Sequence, residues 1–346
     1  MNLEQRIDAF VKLGLRLKEF THTFYDDDNS EFQKVLASAL IHNKWFTKAN
    51  QLMALNALTE MLDEKKLHQW ISTINFKLQT SNPKKIGVIM AGNFPAVGFH
   101  DLLCVLITGN ILIAKCSSED KILLPWISKL VIEIEPAFED RIFFVERMVE
   151  MDAVIATGSN NSARYFEYYF SKYPHIIRKN RNAVAVISGN ESEEELKNFG
   201  KDIFSYFGLG CRNVSKLYVP KGYDFGLFFR SIESYSKIMQ HNKYMNNFDY
   251  YHAVYLLNDI KFLTNNFLII KEDKAISTPV SVLNYEFYND MQSLEKELEN
   301  QIEKIQCIVS NNAEIQHVVP FGKAQQPELC DYADGVDTLK FLSKLN

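Results

Sequence analysis

From residue 81 onward the chain alternates short, fully apolar runs with amphipathic ones, and this alternation limits the folds open to it more than any other feature. Residues 86–91, 111–115, 142–146, 153–156 and 183–188 read as buried strands. Between them, 97–107, 121–134, 162–172 and 193–206 carry helical spacing. Strand and helix taking turns in this way predict a mostly parallel sheet covered on both faces, with ligands at the carboxyl ends of the strands.

The preceding stretch has a different texture. Ile7, Phe10, Val11, Leu13, Leu15 and Leu17 mark one helical segment, and Phe32, Val35, Leu36, Leu40 and Ile41 a second. Asp26-Asp27-Asp28-Asn29-Ser30 separates them as a solvated, capping-rich loop, and 45–78 continues the helical pattern. No chemistry is assigned here; the aromatic positions read as core or as a lid. Downstream of residue 214 a second α/β unit is expected, with strands at 216–219, 251–257, 267–270, 280–283 and 305–309 and helices at 224–240 and 291–302. The expected organisation is thus a helical region 1–80, a first α/β domain 81–208, a second 209–320 and a closing tail 321–346, which packs back or on a partner.

Composition narrows the function classes. With 346 residues, 47% of them hydrophobic and 13% aromatic, the chain is folded and long enough for two domains. A net charge of -5 provides no basic field, so no nucleic-acid partner is expected. The most apolar stretch, 86–114, is interrupted by Asn93, Pro95, His100, Asp101 and Asn110, so no membrane span is expected. Five cysteines without paired spacing, and no leader pattern, lead to the expectation of a cytoplasmic protein with free thiols. The eight histidines form no ligand pairs, and no metal is expected.

Three clusters carry candidate chemistry. In Phe207-Gly208-Leu209-Gly210-Cys211-Arg212-Asn213, a cysteine follows a helix-like run and precedes a strand, at the joint between two structural units. Two glycines allow close approach, so Cys211 is either a nucleophile or a small hydrophobe in a turn. Gly92-Asn93-Phe94-Pro95 follows the first strand; it offers an amide donor for a developing oxyanion, or is an ordinary turn. Thr157-Gly158-Ser159 ends another strand before a helix, which reads as a pyrophosphate seat or as a plain capped helix. Lys115, with Ser117 and Ser118, closes a third strand, which reads as a contact to a ribose or its phosphate or as a plain surface lysine. The fingerprint G-x-G-x-x-G is absent after the first strand.

Taken in order, Gly92-Asn93-Phe94-Pro95, Gly109-Asn110 with Lys115, Thr157-Gly158-Ser159 and Gly208-Leu209-Gly210-Cys211 resemble the motif series of the aldehyde dehydrogenase superfamily. Within it, residues 207–213 and the tail 331–338 resemble the CoA-dependent, LuxC-type acyl-CoA reductases. The resemblance implies an aldehyde dehydrogenase-like α/β fold, with a Rossmann-like cofactor domain at 81–208, a catalytic domain at 209–320, and homo-oligomers. It makes Cys211 the acyl-accepting nucleophile and Asn93 the side-chain part of the oxyanion hole. Thr157, Gly158 and Ser159 would lie at the cofactor pyrophosphate, and Lys115, Ser117 and Ser118 near the adenosine ribose. Two departures bear on the reaction. The water-activating glutamate of hydrolytic members falls on Ile177, which would protect a thioester from water. Thr278-Pro279 stands where a glycine and proline follow a ribose-binding glutamate, and that glutamate is not evident; its loss favours NADPH, with NADH possible. The implied activity is reduction of an acyl-CoA to the aldehyde, with CoA entering as part of the substrate. An acyl phosphate reductase, a cysteine-dependent acyltransferase or thioesterase, and a non-catalytic scaffold are the alternatives.

Overall fold

The computed structural model describes residues 1–22, 30–73 and 82–345. The expected loop positions 26–29, the residues 74–78 of the N-terminal helical pattern and Ser81 lie outside the described residues. The chain divides into two units, 1–179 with 328–346, and 180–327.

In the first unit, helices α1 (Leu3–His22), α2 (Glu31–His42), α3 (Lys48–Met61) and α4 (Glu64–Ser72) precede the sheet. On α1, Ile7, Phe10, Leu13 and Leu17 recur at helical spacing and are all buried. Gly14 lets α3's end approach, since a Cβ there would stand 2.9 Å from the Leu62 Cβ. These residues share one core with Phe99, Leu102, Leu106 and Phe138, so the N-terminal helices are part of the first unit and not a separate layer or lid.

The sheet follows: β1 (Lys85–Ile89), α5 (Phe99–Ile107), β2 (Ile111–Lys115), α6 (Leu123–Ile134), β3 (Ile142–Phe144), β4 (Ala153–Thr157), α7 (Asn160–Phe170) and β5 (His175–Arg178). All pairings are parallel, in the order β3-β2-β1-β4-β5. Ile89 stands level with Lys115 on one side and Ala156 on the other, so the carboxyl ends of β2, β1 and β4 lie abreast. The chain winds outward from β1 to β3 and resumes on the opposite flank at β4, which makes the β1/β4 boundary the switch point where such sheets leave a crevice. Strand β5, absent from the sequence-based expectation, is only four residues long.

The second unit comprises β6 (Asn182–Val186), α8 (Glu193–Phe204), β7 (Val214–Pro220), α9 (Phe225–Ser231), α10 (Asn242–Leu257), β8 (Leu263–Thr264), β9 (Ile269–Glu272), β10 (Val282–Tyr288), α11 (Met291–Asn300), β11 (Ile305–Val309) and β12 (Val318–Val319). Its sheet runs β12-β11-β6-β7-β10-β9-β8, parallel except for β8. Ser192 opens α8 with a capping box to Glu195.

Three expectations change. The boundary falls at 179/180 rather than 208/209, because β6 pairs with β7 and β11 and not with the first sheet. Residues 251–257 are the end of α10 and not a strand: Tyr244, Phe248 and Tyr255 are buried at helical spacing, while Leu256 and Leu257 face solvent. The tail divides, with Phe321 and Ala324 in the second core and 328–346, including α12 (Thr338–Ser343), in the first unit. Leu329, Leu339 and Leu342 bury themselves among the first unit's helices. No described helix is long and apolar enough to cross a membrane.

Candidate active site

Cys211 belongs to the second unit, where it stands in the chain between α8 and β7. Three residues with positive φ lead to it: Tyr206 at 52°, Phe207 at 60° and Gly208 at 77°. Left-handed backbone costs an L residue about 1–2 kcal/mol, so Tyr206 and Phe207 require compensation. Tyr206 is buried, and the Phe207 ring lies 4.2 Å from that of His241 at the start of α10.

Residues 210–213 form a turn closed by the Asn213 N–H on the Gly210 carbonyl at 3.0 Å, with Cys211 at its second position. The buried Asn213 side chain secures this turn from within. Its Oδ1 accepts the Gly210 N–H at 2.8 Å, and its Nδ2 donates to the carbonyls of Asp202, Ile203 and Ser205. Those carbonyls end α8, so one amide ties the helix terminus to the cysteine turn. Arg212 donates from Nε to the Ala324 carbonyl at 2.6 Å, and Asp202 accepts the N–H groups of Gly322 and Ala324. Burial raises the Asp202 carboxyl to about 6, against the opposing pull of those two N–H groups. The Cys211 side chain itself is partly exposed. The environment is thus a partly accessible thiol on a heavily anchored turn that follows strained backbone at Tyr206 and Phe207, whereas Cys104 is fully buried on α5 and burial drives its thiol far up.

The remaining candidates stand together in the first unit. Gly92, Asn93 and Phe94 form the loop after β1, and Asn93 is exposed. A Cβ on Gly92 would come within 2.6 Å of the Ser117 Cβ, so the glycine lets this loop lie against the loop after β2. The buried Asp120 joins the two, accepting the N–H of Ala96, which has φ of 57°, and of Leu123 at the start of α6. Burial raises the Asp120 carboxyl to about 6. Lys115 and Ser117 are half-buried and Ser118 exposed, and the Ser118 carbonyl contacts His42 Nε2 at 2.6 Å.

After β4, Thr157 and Gly158 are half-buried and Ser159 caps α7, its Oγ accepting the Ser162 N–H at 3.1 Å. A Cβ on Gly158 would meet Phe166 and Ser162 at 2.9 Å, so this glycine seats the strand end against its own helix. Its N–H donates to the Arg178 carbonyl at 3.3 Å. Thus Asn93, Lys115, Ser117, Ser118, Thr157, Gly158 and Ser159 occupy the carboxyl edge of one sheet, whereas Cys211 belongs to the second unit. Ile177 lies on β5 and is half-buried. Thr278 and Pro279 lie between β9 and β10.

Sequence reasoning passed over Asn213, Asp202 and Asp120, whose partners are backbone groups of other segments. It also passed over Arg178, which donates to Asp101 at 2.6 Å and to Thr338 at 2.9 Å inside the first unit.

No family model matches the chain, and no curated protein matches it. Solved structures do. Aldehyde dehydrogenase 21 from Physcomitrella patens, in complex with succinate, is 12% identical with a TM-score of 0.68, the alignment covering 100% of this chain and 84% of that one. An NAD-dependent aldehyde dehydrogenase from Sinorhizobium meliloti is 10% identical with a TM-score of 0.67, covering 92% and 73%. An aldehyde dehydrogenase from Bacillus cereus, solved with NAD+, is 11% identical with a TM-score of 0.63, covering 91% and 73%. The chain therefore has the aldehyde dehydrogenase-like fold, with two α/β units each built on a mainly parallel sheet.

Proposed function

We propose that the protein is a nicotinamide-dependent oxidoreductase that reduces an acyl-CoA, a fatty acyl-CoA in the first instance, to the aldehyde through a thioester on Cys211. The observation that carries this reading is the thiol itself: partly exposed on an anchored turn that follows strained backbone at Tyr206 and Phe207 and leads into a central strand, in a chain with this fold. Stored strain and redundant anchoring around one reactive group are characteristic of functional positions.

The strand ends suit a dinucleotide. The start of α7, directly after β4 at the switch point, offers N–H groups and a partial positive charge to a pyrophosphate. Thr157, Gly158 and Ser159 would hold it there, with Lys115, Ser117 and Ser118 toward the ribose. Lys115 and two hydroxyls, with no carboxylate among these three positions, favour a 2′-phosphate and hence NADPH over NADH. When bound, the cofactor supplies hydride to the acyl group.

The chain's own groups do the rest. The Cys211 thiolate adds to the thioester carbonyl; the S–C bond to the enzyme forms, and the bond to CoA breaks as its thiolate departs. The negative oxygen between these events is held by the Cys211 backbone N–H and the Asn93 amide. Ile177 presents no base to water, which favours retention of the acyl group over hydrolysis to the acid. When the aldehyde forms, the C–S bond breaks and Cys211 returns to the thiolate.

The test is anaerobic incubation with a series of acyl-CoAs, with acyl phosphates alongside, and NADPH or NADH. The reading requires aldehyde formed in step with cofactor oxidation. Acyl turnover with no loss of nicotinamide absorbance would turn the assignment to an acyltransferase or thioesterase.

A further inference from the structure

Among the groups that the reaction leaves unused is a buried carboxylate. Asp120, between β2 and α6, is only 2% exposed. Both of its oxygens are spent on main-chain donors: Oδ1 accepts the Leu123 N–H at 3.3 Å, at the first residue of α6, and Oδ2 accepts the Ala96 N–H at 2.9 Å. Ala96 follows Asn93 by three residues and is held at a φ of 57°, in the left-handed region that L residues rarely adopt.

The Asn93 segment leans on the same loop at its other end. A Cβ on Gly92 would stand 2.6 Å from the Ser117 Cβ and 3.1 Å from the Asp120 backbone nitrogen. Asn93 is therefore bracketed: the residue before it lies against 117–120, and the Ala96 N–H three places after it is held by Asp120. The mount for this bracket is firm. Asp120 is tied to the start of α6, whose Leu123, Leu124, Ile127 and Val131 are fully buried. The Ala96 carbonyl in turn accepts the Phe99 N–H at 3.0 Å, where α5 begins. An exposed amide thus stands on backbone that two helix starts and one carboxylate hold in place.

We infer that Asp120 is a positioning residue for Asn93, its carboxylate holding the 93–96 turn so that the amide meets the oxygen that becomes negative when Cys211 is acylated. The inference rests on the reading of Asn93 as an oxyanion donor. An ionised group taken out of water is costly, and a turn that only had to be closed could be closed by a hydroxyl or by water. A carboxylate offers two acceptors in one rigid plane, and here they join the Asn93 turn to a helix start. A preorganised donor demands that kind of fixing, since a displacement of about 1 Å costs about 10²-fold in rate.

The experiment compares wild type, Asp120→Asn, Asn93→Ala and the double variant in two reactions of the Cys211 sulfur. One is acylation by octanoyl-CoA, read by quenched mass spectrometry, whose transition state carries a negative oxygen. The other is alkylation by iodoacetamide, a displacement at a saturated carbon that develops no oxyanion. Asp120→Asn should slow limiting acylation about 10- to 100-fold, with half-saturating octanoyl-CoA and the alkylation rate each within about threefold of wild type. In the Asn93→Ala background the same change should slow acylation by less than about threefold, because the donor it positions is already gone. Equal loss in both reactions, or full additivity with Asn93→Ala, would reduce Asp120 to a structural role, and unchanged acylation in Asp120→Asn would dismiss the inference. If Asp120→Asn lacks a native circular dichroism spectrum, Ala96→Gly decides. Glycine takes a φ of 57° without strain and frees the turn, so acylation about 3- to 10-fold slower supports the inference and an unchanged rate overturns it. A wild-type protein that takes no acyl group on Cys211 would reject the parent reading and this one with it, whereas slow Asn93→Ala beside an unimpaired Asp120→Asn would reject this one alone.

Discussion

Asn213 Oδ1 accepts the Gly210 N–H at 2.8 Å, so the residue two places after Cys211 fixes the residue just before it. With its Nδ2 on three carbonyls at the end of α8, this one side chain couples helix, turn and strand. Asn213→Ala removes four hydrogen bonds and strands buried carbonyls, and should cost about 2–4 kcal/mol by urea denaturation. The rate of Cys211 alkylation in the variant should change as well, because the turn no longer has a single conformation.

Cys211→Ala should abolish the acyl adduct seen by mass spectrometry while cofactor affinity, read by nicotinamide fluorescence, stays within about twofold. Asn93→Ala should instead keep the adduct but lower its rate of formation about 10²- to 10³-fold, the usual loss for one oxyanion donor. Acylation of Asn93→Ala at the wild-type rate would remove that residue from the mechanism.

Gly158→Val forces a side chain into space held by Phe166 and Ser162, 2.9 Å from the ideal Cβ. The start of α7 must shift, and NADPH affinity should fall at least about tenfold if that helix start receives the pyrophosphate. Acylation of Cys211 in the absence of cofactor should be untouched, which separates the two halves of the proposal.

Asp202 provides a pH test. Its carboxyl is raised by burial from 3.8 to about 6, so the folded state holds a proton that the unfolded chain has released. The associated stability is complete below pH 3.8 and declines as pH rises through about 6. Asp202→Asn has no such proton to lose. Denaturation at pH 4 and pH 7 should therefore show the stability difference shifting toward the variant by about 2 kcal/mol. A difference independent of pH would contradict the raised carboxyl.

Arg178 and Asp101 form a buried ion pair at 2.6 Å, with side chains 5% and 11% exposed. Arg178→Met leaves the carboxylate without its partner and should destabilise the protein by about 3–5 kcal/mol; Arg178→Met with Asp101→Leu should recover much of the loss. Both effects are readable as shifts in the urea midpoint.

The first sheet was legible because 86–91, 111–115 and 153–156 are buried on both faces and carry almost no polar residue, a pattern with few other solutions. The same logic finds 183–188 as a strand but allocates it to the first sheet, whereas it pairs in the second, since partner choice between two sheets depends on contacts far along the chain. Residues 251–257 misled because a short apolar run is ambiguous, and Phe248 and Tyr255 acquire meaning only with Tyr244 in view. At the candidate site the cysteine and the strand-end loops were visible as local motifs. The clamps around them were not: Asn213, Asp202 and Asp120 act on main-chain groups, and no spacing rule announces a backbone group as a partner. Arg178, beside Ile177, is hidden for the same reason: its partners Asp101 and Thr338 lie far away in sequence.

Because residues 328–346 complete the unit begun by residues 1–179, the order of synthesis and the order of assembly cannot coincide. On the ribosome, the 180–327 unit is finished while Arg178 and Asp101 still await Thr338, and Leu339 and Leu342 have yet to cover the helices they will seal. The nascent first half must persist with part of its interior open, a period in which chaperone capture or misassembly competes with closure.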